Sequence, residues 1–147
     1  MAEISTDVFR IIYRHAVREY PDECCGIVTG KGEVNTVHPC RNVQNALHAE
    51  DSQRYPRDAR TAYTIDRAEA DAIFAAARRD AERIVAFYHS HPDHDAYFSD
   101  EDKAVQSVFG EPEFPDALHV IVSVRMGAIN GVKCFRWDGN GDFVEVE

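Results

Sequence analysis

No stretch of this 147-residue chain approaches the ~20 consecutive apolar residues that a membrane-spanning helix needs, which argues against a membrane role. Positive charge is scarce as well. Sixteen Lys and Arg stand against 26 Asp and Glu, for a net charge of −10, and a nucleic-acid partner requires the opposite, a basic surface. The N-terminus has an early acid, Glu3, and no apolar core of a secretory signal, so the cytoplasm is the expected compartment. Repeats and low-complexity segments are absent, and the composition specifies no oligomeric state. The four cysteines (Cys24, Cys25, Cys40, Cys134) form no C-x-x-C pair. In a reducing compartment they read as small buried hydrophobes; the sharper alternative, Cys24 or Cys25 as a nucleophile, needs an adjacent base. There is no His-x-Glu with Pro-Cys-x-x-Cys, which excludes a zinc nucleoside deaminase.

What is present is ordinary globular composition, 44% hydrophobic and 29% charged. The length predicts one domain over residues 1–147, burying roughly two-thirds of the surface of its unfolded chain. Val8, Ile12 and Ala16 recur every fourth residue, so residues 5–19 read as an amphipathic helix with Ser5 or Thr6 as N-cap. Residues 26–30 and 33–37 read as a hairpin turning at 30–32, and residues 62–65 as a short strand. Asp66-x-x-Glu69 is a capping box opening a second helix with a stripe of Ala70, Ile73, Phe74 and Ala77. Residues 83–88 and 118–124 are apolar runs typical of buried strands, and 133–137 and 143–146 read as two closing strands. The segment 41–61 has no clear periodicity and is long for a connection; its Arg54, Arg57 and Arg60 read best as a solvated loop. This order of elements predicts an α/β or α+β domain with a central sheet flanked by helices.

The densest chemistry lies at residues 89–102, immediately after the 83–88 strand. If the chain stays extended past Tyr88, alternation points His89 and His91 to one side and Ser90 to the other. Asp102 falls in the first turn of a helix expected from Ser99 to about residue 109. His89, His91 and Asp102 would supply three protein ligands to zinc, and such a shell keeps its fourth position open for water. The plainer reading is that Ser99-x-x-Asp102 is an N-terminal cap and the histidines are surface or satisfied core residues. Glu23, beside Asp22, reads in isolation as a surface carboxylate. Of the other histidines, His15, His38 and His48 read as structural or exposed. His94 is close enough to the pair to support it, and His119 is expected to satisfy a core or edge hydrogen bond.

His89-x-His91-Pro92, six further residues, and then Ser99-x-x-Asp102 together resemble the JAMM motif of the MPN/Mov34 metalloprotease family, with no departure in spacing. That family also carries an upstream glutamate before a Cys-Gly step that opens an apolar strand. Residues 21–28, Pro-Asp-Glu-Cys-Cys-Gly-Ile-Val, match it, with Glu23 at the glutamate position.

The resemblance implies a deaminase-like α-β-α sandwich with a mixed central sheet. It also implies one zinc per chain on His89, His91 and Asp102. Glu23 would act as general base and then general acid, and Ser99 would donate to the oxyanion. It further implies a peptidase or isopeptidase acting after the C-terminal Gly-Gly of a ubiquitin-like protein. The small size is similar to that of prokaryotic members that trim ubiquitin-like sulfur carriers. Two other branches are implied less well. A non-catalytic MPN scaffold usually loses ligands that this chain keeps. A RadC-like protein shares the His-x-His-Pro core, but the N-terminal Glu23 element and the acidic charge argue against it.

Overall fold

Ser5 caps the first helix of the computed structural model: its side chain accepts the N–H of Val8, and α1 runs Thr6–Glu19. The structure describes residues 4–108 and 111–146. The remaining elements follow as β1 (Cys25–Lys31), β2 (Val34–Cys40), α2 (Gln44–Glu50), α3 (Arg67–Arg79), β3 (Arg83–Pro92) and α4 (Asp100–Gln106). They end with β4 (Ser107–Val108), β5 (Glu111–Pro112), β6 (Leu118–Arg125), β7 (Ala128–Trp137) and β8 (Phe143–Val146). Six strands form one sheet in the order β2-β1-β3-β6-β7-β8. β3 and β6 run parallel and every other neighbouring pair is antiparallel, so the sheet is mixed, as expected.

Helices cover both faces. Val8, Ile12 and Ala16 of α1 bury against Val28, Tyr88, Val120 and Val122 on one face, and each such fully buried aliphatic contributes about 1.5–3 kcal/mol. On the other face, Ile27, Phe87 and Cys25 pack with Ala70, Ile73 and Phe74 of α3, the stripe that its sequence spacing predicts. Strand alternation then puts Phe87, His89 and His91 on the α3 face, at the C-terminal end of the parallel pair β3 and β6. Open α/β sheets bind ligands at that end of their strands.

Gly26 locks the two halves together. A Cβ there would run into the ring of Tyr88, whose hydroxyl lies 2.7 Å from Nδ1 of buried His15 on α1. The Cys-Gly step at the start of β1 is thus a packing requirement: only glycine lets the ring approach so closely.

Several expectations are corrected. The first hairpin turns at Gly32-Glu33, one residue later than expected, with Gly32 in the left-handed region at φ 62°. The expected strand 62–65 reduces to a single bridge between Ile65 and Asn42. Asp66 caps α3 through the N–H of Glu69. The return half of that capping box is missing, because the Glu69 carboxylate accepts the N–H of Arg41 instead. The segment 41–61 is no plain loop: it contains α2. α4 stops at Gln106 and gives way to β4, while residue 109, the expected helix end, lies outside the described residues. β7 begins at Ala128, five residues before the expected 133. Among the described residues no helix is long and apolar enough to cross a membrane.

Candidate metal centre

β3 stays extended through Pro92 and presents His89 and His91 on one face, with their Nε2 atoms 3.1 Å apart. Ser90 points the other way, where its Oγ accepts the N–H of Cys24 at 2.8 Å. α4 then brings Asp102 against the pair: Oδ1 lies 3.1 Å from His89 Nε2 and Oδ2 3.4 Å from His91 Nε2. All three residues are buried, and one donor atom from each lies within 4.8 Å of the others.

The backbone after His91 sets its tautomer. Asp93 takes a left-handed conformation at φ 59°, one that Asp tolerates better than most residues. It is held there by Met126 N–H on Oδ1 and by the Tyr20 hydroxyl on Oδ2. The turn returns the carbonyl of Asp95 to His91 Nδ1 at 2.9 Å. With Nδ1–H donating to that carbonyl, Nε2 keeps a lone pair facing Asp102. Burial pushes the pKa of His89 down, against the pull of Asp102, so its imidazole is neutral. Burial also opposes ionisation of Asp102, but the attraction of His89 and hydrogen bonds from His89, His91 and the Ser99 N–H outweigh it. The carboxyl is held far below the ordinary carboxylate range.

Two neutral imidazoles and one carboxylate make a donor set suited to zinc. Zinc–nitrogen and zinc–oxygen bonds of about 2.0–2.1 Å in a tetrahedron separate ligand atoms by about 3.3 Å. The observed separations of 3.1 and 3.4 Å match, so the residues fit the ion.

Glu23 immediately precedes Cys24 and β1. It is 5% exposed, its N–H donates to the carbonyl of Ala59 at 2.7 Å, and its own carbonyl accepts from Asn42 Nδ2 at 2.9 Å. Glu23, His91, Ser99 and Asp102 all line one cavity of about 320 Å³, together with Arg57, Thr61, Ala62, Tyr63, His94 and Tyr97. The structure therefore brings together every residue singled out for the site; His89 sits behind the cavity wall with its ring stacked on Tyr63, centroids 4.5 Å apart.

Ser99 and Asp102 also cap each other, Ser99 N–H to Oδ2 and Asp102 N–H to Oγ. The plain cap and the site geometry are one arrangement. His94 lines the cavity and accepts a short hydrogen bond from Ser123 at its carbonyl. His119 departs from expectation: among the described residues its Nε2 has no hydrogen-bond partner. Its ring instead packs against Phe87, Phe98 and Phe143, and burial pushes its pKa down to about 4. It behaves as a neutral aromatic in an apolar cluster.

Tyr63, Arg57 and the carbonyl of Asp95 were not picked out by residue pattern. The usable signal was the run Asn42-Val43-Gln44-Asn45, whose amides tie the 41–64 segment to the site. The cysteine alternative gains no support. Burial raises the thiols of Cys24 and Cys40 to about 12 and that of Cys25 further still, so no reactive thiolate exists at neutral pH.

The chain matches the model of a family described as prokaryotic homologs of the JAB domain, over residues 5–138. It is 30% identical over 122 residues to the CysO-cysteine peptidase of Mycobacterium tuberculosis, covering 83% of this chain and 73% of that one. It is 38% identical over 96 residues to the tail tip assembly protein K of Escherichia phage N15. That overlap covers 63% of this chain but 31% of the phage protein, so the chain matches under a third of that relative's length. It is 32% identical over 88 residues to the desampylase of Haloferax volcanii, covering 60% of this chain and 57% of the desampylase. A solution structure from Desulfitobacterium hafniense superposes with a TM-score of 0.68 at 21% identity, over 97% of this chain and 88% of that one. A JAB1/MPN domain protein of Archaeoglobus fulgidus gives 0.50 at 18% identity, over 95% and 89%. These two structures share the fold.

Proposed function

Because the chain belongs to the family of prokaryotic homologs of the JAB domain, we propose that it is a zinc-dependent peptidase cutting after the C-terminal Gly-Gly of a ubiquitin-like sulfur-carrier protein. The observation that carries this reading is the convergence of Glu23, Ser99, His91 and Asp102 on one cavity, with His89 directly behind. The names of two relatives, a CysO-cysteine peptidase and a desampylase, support the substrate class.

His89, His91 and Asp102 would hold the ion. Zinc in such a site lowers the pKa of water to about 7 and polarises a carbonyl. Glu23 takes the proton from the attacking water and returns it to the leaving amine. Its backbone is pinned at both N–H and C=O, so the carboxylate does this from a fixed position. The Ser99 oxygen already accepts the Asp102 N–H, which leaves its hydroxyl proton to donate to the oxyanion of the tetrahedral intermediate. Burial of Asp102 and His89 excludes competing water. A non-catalytic scaffold has no need of all five residues, and this chain keeps all five.

The test is intact-mass spectrometry of ubiquitin-fold carriers bearing their native C-terminal extensions, incubated with the protein with and without chelator. The expected product ends at Gly-Gly and is lost on chelation. If no carrier from the same genome is shortened while an unrelated peptide is cleaved efficiently, the carrier assignment fails.

A further inference from the structure

Arg57 is the sole lysine or arginine among the described residues lining the cavity, in a chain that carries a net charge of −10. The same lining holds two acids, Glu23 and Asp102. A cavity with that balance repels a substrate carboxylate unless a cation is set where the carboxylate falls. We propose that Arg57 is the specificity residue for a leaving amino acid with a free α-carboxylate, so that the protein removes a single C-terminal residue in preference to a protein-borne amine. This rests on the peptidase reading above.

The position of Arg57 is built. Its carbonyl accepts from Nε2 of buried Gln44 at 2.9 Å, whose Oε1 accepts the Thr64 hydroxyl at 2.7 Å. Its own Nη1 reaches the carbonyl of Thr61 at 3.4 Å. Two residues on, Ala59 gives its N–H to Asn45 Oδ1 at 2.8 Å and takes the N–H of Glu23 on its carbonyl at 2.7 Å. The turn carrying Arg57 is thereby tied to Glu23 itself, and both line the same cavity.

The chemistry supplies the rest. In hydrolysis a water oxygen bonds to the scissile carbonyl carbon, the C–N bond breaks, and the water proton passes through Glu23 to the departing nitrogen. That nitrogen must lie beside Glu23. In a free amino acid the α-carboxylate is two bonds from it, on the side where Arg57 stands. In an isopeptide the departing nitrogen is at the tip of a lysine, and the backbone carboxyl is remote and locked in an amide. The planar guanidinium fork matches a carboxylate in bidentate fashion. At about 320 Å³ the cavity also lies at the low end of the ~300–1,000 Å³ range of ligand sites, which suits a short tail.

The experiment uses two synthetic peptides ending Gly-Gly-Ala, one with a free carboxylate and one with a carboxamide. Calorimetric binding to the zinc-loaded, hydrolysis-deficient E23Q protein is expected to favour the acid by about tenfold to a hundredfold. Adding R57Q abolishes the difference and R57K keeps part of it, with zinc content and circular dichroism unchanged. In the otherwise wild-type protein, R57Q raises KM for the acid and not for the amide. Equal binding of the two peptides, no detectable binding of either at millimolar concentration, or an acid preference that survives R57Q overturns the proposal. Equal cleavage of both peptides also defeats it while leaving the peptidase reading intact. Arg57-dependent binding without hydrolysis of either peptide supports the carboxylate site and counts against the peptidase reading.

Discussion

Ser99 and Asp102 exchange hydrogen bonds: the N–H of Ser99 reaches Asp102 Oδ2 at 3.0 Å and the N–H of Asp102 reaches Ser99 Oγ at 3.1 Å. One reciprocal cap starts α4, aims the carboxylate at the two histidines and orients the serine oxygen in the cavity. S99A therefore carries two separable costs. Loss of the cap destabilises the protein by about 1 kcal/mol, seen as a lower Tm. Loss of the oxyanion donor lowers kcat by about 10²–10³-fold. A variant with a reduced Tm and unchanged kcat would show that Ser99 is only a cap.

Purified protein should contain one zinc per chain, and H91A should lose most of it, because the His91 and His89 Nε2 atoms are 3.1 Å apart and share the same focus with Asp102. Elemental analysis of protein purified without chelator is the check. Full zinc retention in an H89A/H91A protein would show that the ion is held elsewhere.

G26A should destabilise the fold without touching the chemistry. The added Cβ meets the Tyr88 ring, which is held by His15, and overpacking of this kind costs about 1–3 kcal/mol. At this chain length each kcal/mol lowers Tm by about 2–4 °C. An unchanged melting temperature would mean that the strand and α1 shift freely to make room.

Thiol reagents and chelators should act oppositely. Burial raises Cys24 and Cys40 to about 12 and Cys25 above that, so the thiols stay protonated at neutral pH and iodoacetamide should leave the rate unchanged. A metal chelator should abolish the rate, and added zinc should restore it. Rapid inactivation by iodoacetamide in the folded protein would revive a cysteine nucleophile.

The centre was legible in sequence because its parts obey local rules. His89 and His91 share a face by strand alternation, and Asp102 is placed by the cap that Ser99 begins. The stripe of Ala70, Ile73, Phe74 and Ala77 likewise identified the face of α3 that packs on the sheet. Arg57 and Tyr63 were not legible, because the segment bearing them is held by amide-to-backbone bonds from Asn42, Gln44 and Asn45, which leave no hydrophobic period. The Asp95 carbonyl that orients His91 is backbone and carries no residue signature. The first half of β7 was missed because residues 128–130 are exposed and the strand shows no buried alternation. The missing half of the Asp66 capping box followed from a tertiary competitor, the N–H of Arg41, which spacing cannot reveal.

The most direct test of the account is the rate of carrier-tail hydrolysis by E23Q measured alongside its zinc content. The amide keeps the size of the side chain and makes no contact required to hold the ion, but it cannot accept the proton of the attacking water. The predicted result is one zinc per chain, an unchanged Tm and a rate lower by about 10²–10⁴-fold. A zinc-replete E23Q that retains more than about a tenth of the wild-type rate would contradict it, since general-base contributions are far larger than that.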